Sequence, residues 1–275
     1  MQKRGARLGQ HFLIHSWAAK KLAYAAAPKE GEVILEIGPG KGVLTHELLQ
    51  FGKVIAIEKD SKLVALLEET FAEEIRTGQL TLLEQDVRDF NPETCNLPAR
   101  LNDVSRSGGK PGTYIVAANI PYYITGEIIR QFLTTEKLPR AMALLVQKEV
   151  ADRIVARDGK ESILSLSVKA YGTPSIIAKV GKTHFSPPPS VDSAILVIDN
   201  ISKRFFDDIS EIDFFAVVHT GFASKRKMLA GNLSRMFKKE MVSAAFAQCG
   251  IEEKARAEDV LLSEWKCLTA TLHAH

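Results

Sequence analysis

The sequence lacks several things, and each lack narrows what the chain can be. No apolar run comes near the ~20 residues that a bilayer-spanning helix needs. Met1-Gln2-Lys3-Arg4-Gly5 is basic but leads into no apolar segment and no small-residue cleavage site, so a secretory signal is not expected. Cysteine is scarce: Cys95, Cys249 and Cys267 are odd in number, far apart and without Cys-x-x-Cys spacing. That pattern argues against both disulfides and a zinc site, and for a cytoplasmic protein. Acids are missing from two stretches. Residues 1–29 carry Lys3, Arg4, Arg7, Lys20, Lys21 and Lys29, and residues 225–239 carry Lys225, Arg226, Lys227, Arg235, Lys238 and Lys239, with no Asp or Glu in either. The formal net charge is only +3, so the rest of the chain is acidic. Two basic stretches on an acidic body point to a polyanion partner.

What is present reads as α/β. Apolar runs at 33–37, 53–57, 79–84, 114–118 and 141–146 suit buried parallel strands. Runs at 176–180 and 194–198 suit a closing antiparallel pair, which makes a mostly parallel sheet of seven strands. Ser16 is expected to cap a first helix over 17–27, Asp60 or Ser61 a second, and Thr125 the helix that includes 127–133. From about residue 200 only helical patterns remain: 214–223, 227–237, 241–249 and 257–272. The division expected is therefore residues 1–200 as an α/β domain and 201–275 as a small all-helical one.

Strand ends carry the chemistry. Val33–Ile37 runs into Gly38-Pro39-Gly40-Lys41-Gly42 and then a helix, the turn of a nucleotide-binding unit whose glycines let a ligand approach the backbone. The spacing is G-x-G-x-G, not the G-x-G-x-x-G of dinucleotide enzymes, and fits a ligand without a phosphate. The second strand ends in Glu58, about twenty residues past the glycines, where a carboxylate can accept both hydroxyls of an adenosine ribose. The third ends at Gln85-Asp86-Val87, which places an acceptor for an adenine amino group and an apolar contact for its ring. The fourth ends in Asn119-Ile120-Pro121-Tyr122. The Asn oxygen, with the carbonyl of Ile120 or Pro121, supplies two acceptors for an exocyclic amine, and Tyr122 supplies a stacking face.

Three further segments frame these ends. Gly9-Gln10-His11-Phe12-Leu13 suits a lid over a bound ligand, and His11 is not read as a catalytic base. His184-Phe185-Ser186-Pro187-Pro188-Pro189 is stiff and extended, suited either to hold Phe185 at the rim of the site or to serve as a plain rigid linker. Residues 91–113, rich in Pro, Gly, Ser and Asn, read as an exposed loop.

Taken together, these motifs resemble the ribosomal RNA adenine dimethyltransferase family, and its bacterial small-subunit branch in particular. The resemblance runs through Gly9–Leu13, Glu36-Ile37-Gly38-Pro39-Gly40, Glu58, Asp86-Val87, Asn119–Tyr122, Gln147-Lys148-Glu149-Val150 and Phe185–Ser193. It ends with Phe222-Ala223-Ser224-Lys225-Arg226-Lys227-Met228-Leu229, so it spans nearly the whole chain. It implies a Rossmann-like class I S-adenosylmethionine-dependent methyltransferase domain followed by a helical rRNA-binding domain. Cofactor contacts would come from Gln10, His11, Leu13, Gly38, Gly40, Glu58, Asp86, Val87 and Asn119, with no metal. Asn119, Pro121, Tyr122 and Phe185 would form the reacting site. Lys3, Arg4, Arg7, Lys225, Arg226 and Lys227 would hold RNA. The implied reaction is transfer of two methyl groups to N6 of each of two adjacent adenines near the 3′ end of small-subunit rRNA. The implied partner is an immature ribosomal particle, met by a monomer, with no membrane involved. A methyltransferase acting on large-subunit rRNA or DNA, and a protein acting mainly in ribosome assembly, are the competing readings. A nicotinamide-dependent oxidoreductase is disfavoured by the glycine spacing.

Overall fold

The computed structural model describes residues 11–92, 114–224 and 226–273, and the chain falls into two compact units. The first comprises residues 1–151 and 173–201, the second 152–172 and 202–275.

The first unit opens with a two-residue strand, β1 (Phe12–Leu13), and helix α1 (Ser16–Ala26). Ala18, Ala19, Leu22, Ala23 and Ala26 form the buried face of α1, and small side chains let the helix lie close on the sheet. His15, not Ser16, takes the N-cap position and makes no side-chain capping bond, which shifts the expected boundary by one residue. Then follow β2 (Val33–Ile37), α2 (Val43–Leu48), β3 (Val54–Glu58), α3 (Ser61–Thr70), α4 (Ala72–Arg76) and β4 (Leu80–Glu84). Asp60 caps α3, its carboxylate accepting the Lys62 amide at 3.0 Å. The expected 91–113 loop falls, from residue 93 on, outside the described residues.

Next come β5 (Tyr114–Asn119), α5 (Thr125–Thr134) and β6 (Ala141–Gln147). Thr125 is the first residue of α5 and not its cap; its hydroxyl is buried without a partner, because Ile124 occupies the cap position. Helix α6 (Lys148–Val155) and helix α7 (Ile163–Tyr171) precede β7 (Thr173–Val180), the short β8 (Phe185–Ser186) and β9 (Ser193–Asp199). Seven of the described strands form one sheet in the order β4-β3-β2-β5-β6-β9-β7. Its first five strands are parallel, and β9 runs antiparallel to both β6 and β7, so β7 points the same way as the first five; β7 and β9 form the expected antiparallel pair. β2 and β3 are buried along their whole length, which explains their unbroken apolar character.

At the amino edge of this sheet Arg140 fastens three segments together. Its guanidinium donates to both oxygens of buried Glu32 at 2.6 and 2.9 Å, to the Asp199 carboxylate at 3.2 Å and to the Ala27 carbonyl at 2.9 Å.

The second unit contains α7, α8 (Glu211–Gly221), α9 (Leu229–Leu233), α10 (Lys239–Cys249) and α11 (Leu262–Leu272) around fully buried Trp265 and Phe214. A Cβ on Gly221 would lie 2.3 Å from the Trp265 ring, so that glycine is what lets α8 and α11 touch. Two expectations need correction here. The division is not a single cut at residue 200: residues 152–172 belong with the C-terminal helices, because α7 packs against α11. Helix α7 itself has no counterpart in the sequence reading. Its apolar residues Leu166, Val168, Ala170 and Tyr171 are clustered too closely to show a helical period. The expectation against disulfides also fails for one pair: Cys249 and Cys267 are bonded. Eighteen residues apart, they sit on α10 and α11, which pack side by side and bring the Cα atoms to 5.7 Å. Nothing in sequence spacing encodes such an inter-helix meeting.

Arg140→Met is expected to destabilise the fold by about 3 kcal/mol in urea unfolding, since buried Glu32 would lose the guanidinium that balances its charge. The double variant with Glu32→Gln should recover part of that loss. Equal unfolding midpoints for parent and Arg140→Met would contradict this account.

Candidate active site

In-register parallel pairing aligns the strand ends: Ile37 lies opposite Ile57 and Ala118, and Ile57 opposite Leu83. Gly38, Glu58, Gln85-Asp86 and Asn119 therefore emerge along one edge and line one cavity with His11, Leu13, Val87, Pro121 and Tyr122.

The glycine turn forms the cavity floor. Gly38 and Gly40 have φ of +66° and +59°, which a side chain would strain. A Cβ on Gly40 would meet the Phe12 ring at 3.0 Å, so the residue must be glycine where the N-terminal segment crosses it. Glu58 holds this turn in place. One carboxylate oxygen accepts the amides of Lys59 and Asp60 at 2.9 and 3.0 Å, and the other accepts the Gly40 amide at 3.2 Å. The second oxygen keeps a lone pair for one incoming hydroxyl; taking both hydroxyls of a ribose requires one backbone amide to give way.

Asp86 is held by a residue that the sequence reading passed over. Arg88 donates to it from its backbone amide, Nε and Nη2 at 3.0, 3.0 and 2.6 Å, and Lys59 approaches at 3.6 Å. The Arg88 hydrogen bonds and positive charge hold the Asp86 carboxyl well below the usual range. An Asp followed two residues on by Arg in a tight turn was the available signal. Val87 presents its buried side chain beside it, and its carbonyl accepts from Gln131 at 2.8 Å.

On the other side of the cavity, Asn119 donates from Nδ2 to the His11 carbonyl at 3.1 Å. That bond fixes the amide plane and leaves Oδ1 without a hydrogen-bond partner among the described residues. Tyr122 is anchored through its hydroxyl to Ser193 Oγ at 2.7 Å, and its ring lies 5.7 Å from the His11 ring. Burial raises the Tyr122 pKa, with Asp192 adding to the rise and the Ser193 bond opposing it, so the phenol is neutral. His11 is held from outside by a 2.8 Å contact between Nδ1 and the Pro187 carbonyl. β1 pairs with β8, and His11, Phe12 and Leu13 line the cavity.

Phe185 is not where the sequence reading placed it. It is 2% exposed, pairs with Leu13 across the β1–β8 ladder and belongs to the apolar core instead of the cavity wall. Burial in the core cluster that also holds Leu13, Ala18 and Val180 stabilises the ring there. Gln10, Lys3, Arg4, Arg7 and Lys225 lie outside the described residues, while Arg226 and Lys227 are exposed in the second unit.

Glu36, two residues before Gly38 on β2, is fully buried and neither carboxyl oxygen has a hydrogen-bond partner of normal geometry. Burial pushes its pKa from 4.5 to about 8; the nearby Thr45 hydroxyl pulls it down and the Glu58 charge raises it further. The folded chain then holds a proton that the unfolded chain has lost, so stability should fall as pH rises between about 4.5 and 8. Glu36→Gln is expected to remove most of that decline, on the order of a few kcal/mol, in denaturant melts from pH 5 to pH 8. Parallel pH profiles for the two proteins would show that Glu36 is ionised in the fold.

The family model for ribosomal RNA adenine dimethylase matches residues 1–272. A ribosomal RNA small subunit methyltransferase A of Dehalococcoides mccartyi is 39% identical over 267 residues, covering 95% of this chain and 86% of its own. One from Moorella thermoacetica is 35% identical, covering 96% and 91%. The solved structure of a dimethyladenosine transferase from Plasmodium falciparum superposes with a TM-score of 0.77 at 24% identity, covering 94% of this chain and 96% of its own, a likeness of fold. With nearly every residue inside the family model and relatives this similar along their length, the chain belongs to the ribosomal RNA adenine dimethylase family.

Proposed function

We propose that this protein uses S-adenosylmethionine to dimethylate N6 of adenine in small-subunit rRNA, acting on two adjacent adenines near the 3′ end within an immature particle. The observation that carries this reading is the Asn119 amide. Its Nδ2 donates to the His11 carbonyl, which fixes Oδ1 as an acceptor that no described residue occupies, in the cavity that Tyr122 also lines.

The residues present suit the cofactor. Gly38 has open space where a Cβ would stand, Glu58 has one free lone pair directed from a buried carboxylate, and Asp86 is an ionised acceptor next to apolar Val87. Glu58 takes a ribose hydroxyl, Asp86 the adenine amino group and Val87 the ring face; Gly38 and Gly40 give room for the amino-acid portion, with Gln10, His11 and Leu13 closing over it. S-adenosylmethionine supplies a methyl group on a sulfonium, which leaves as a neutral thioether.

The target adenine amine is a weak nucleophile because its lone pair is delocalised into the ring. Asn119 Oδ1 and a backbone carbonyl at Ile120 or Pro121 draw its two hydrogens out of the ring plane, which localises the pair on nitrogen. That pair forms the new C–N bond, and the proton it displaces goes to solvent. Positioning supplies most of the rate. No general base is needed, and neutral Tyr122 serves as a stacking face. Phe185 supports the ladder that holds the His11 segment. The exposed Arg226 and Lys227, with Lys225 and the N-terminal Lys3, Arg4 and Arg7, bind rRNA phosphates. The protein works as a monomer in the cytoplasm, where ribosomal particles mature.

Two outcomes follow. Asn119→Ala should keep cofactor affinity by calorimetry and lose methyl transfer by at least ~100-fold, whereas Tyr122→Phe should retain most activity because stacking survives. A Tyr122→Phe variant as inactive as Tyr122→Ala would assign the role to the hydroxyl and refute the stacking account. Replacing Arg226 and Lys227 by Glu should weaken binding to the small-subunit particle and flatten its salt dependence, with cofactor affinity unchanged, because phosphate contacts set the salt slope. An unaltered slope in filter binding would place the RNA grip elsewhere.

A further inference from the structure

The sheet order sets which side of the site lies away from the residues assigned to the cofactor. Cofactor-type residues occupy the ends of β2, β3 and β4, and Asn119 and Tyr122 follow β5. The sheet then continues through β6, β9 and β7, and Val180, Ser193 and Gln147 are aligned at that same edge. The 181–192 segment therefore borders the site on the side away from the cofactor.

On this segment stands an aromatic cluster outside the cavity lined by Asn119 and Tyr122. His184 is fixed by its carbonyl, which accepts the Ile14 amide at 3.0 Å, and its ring meets His15 edge-on at 4.8 Å. Trp17 lies against the His184 ring at 5.4 Å, tilted by 36°. Trp17 is nonetheless 49% exposed, on a helix whose buried face is made by other residues. Lys20 and Lys21, both exposed, lie three and four residues further along α1 and so adjoin Trp17 on the helix surface. The first turn of α1 has no acid. Lys182 is also exposed, and the nearby acid, Asp192, is ion-paired to Lys179 at 2.8 Å. A supported aromatic face with cations around it is the chemistry that binds an unpaired nucleotide: the ring stacks the base and the ammonium groups meet its phosphates.

We propose that Trp17, backed by His184 and His15 and flanked by Lys20 and Lys21, stacks an unpaired rRNA nucleotide adjacent to the adenine held at Asn119. This rests on the reading of the protein as an rRNA adenine methyltransferase and adds a second base-binding position to it. Trp17 is a substrate-positioning residue, outside the reacting atoms.

The chain has two tryptophans, and Trp265 is fully buried, so acrylamide quenching of emission reports on Trp17. Saturating oligoadenylate is expected to shield Trp17 from acrylamide. Trp17→Ala should raise KM for immature small subunits about tenfold while kcat, melting temperature and S-adenosylmethionine affinity stay near parental values, and Trp17→Phe should restore most of the KM. An unchanged KM in Trp17→Ala, or undiminished quenching under oligoadenylate, overturns the proposal. A parent protein that methylates no small-subunit adenine refutes the functional reading instead, and the oligoadenylate shielding then decides the stacking surface by itself.

Discussion

Unslipped parallel pairing of β2, β3, β4 and β5 is the constraint on which the site depends. Because Ile37, Ile57, Leu83 and Ala118 are in register, the residues that follow them emerge together at one edge. A one-residue slip would turn every side chain of a strand to the opposite face. The buried apolar faces of these strands hold the register, and Glu58 ties the glycine turn to it. Its carboxylate joins the end of β3 to the Gly40 amide, so the glycine turn and the third strand's end form one rigid floor.

The wall opposite is built from distant sequence. Asn119 reaches the His11 carbonyl, Tyr122 reaches Ser193, and His11 reaches the Pro187 carbonyl. The β1–β8 ladder beneath them is only two residue pairs long, yet Leu13 and Phe185 bury their side chains in the main core and give it its strength. Phe185 thus affects the site through the segment it anchors.

Much of this was legible in the chain. The strands and the placing of Gly38, Glu58, Asp86 and Asn119 at their ends follow from local patterns, because strand-end chemistry is written in consecutive residues. What was not legible depends on side chains meeting across the fold. Phe185 was expected at the rim because the stiff proline run beside it could hold it there, while its burial goes with its pairing to Leu13, far away in sequence. Arg88 and Ser193 act by completing hydrogen bonds to residues already recognised. The Cys249–Cys267 pair and the place of α7 with the C-terminal helices arise from helix packing, which sequence spacing does not record.

The central claim is that the Asn119 edge presents adenine N6 to a methyl donor and that the adenine belongs to small-subunit rRNA. Mass mapping of rRNA after incubating the protein with labelled S-adenosylmethionine and immature small subunits tests it most directly. The account predicts label as N6,N6-dimethyladenine at two adjacent positions near the 3′ end of small-subunit rRNA. Label confined to large-subunit rRNA, or absent from adenine, would contradict it.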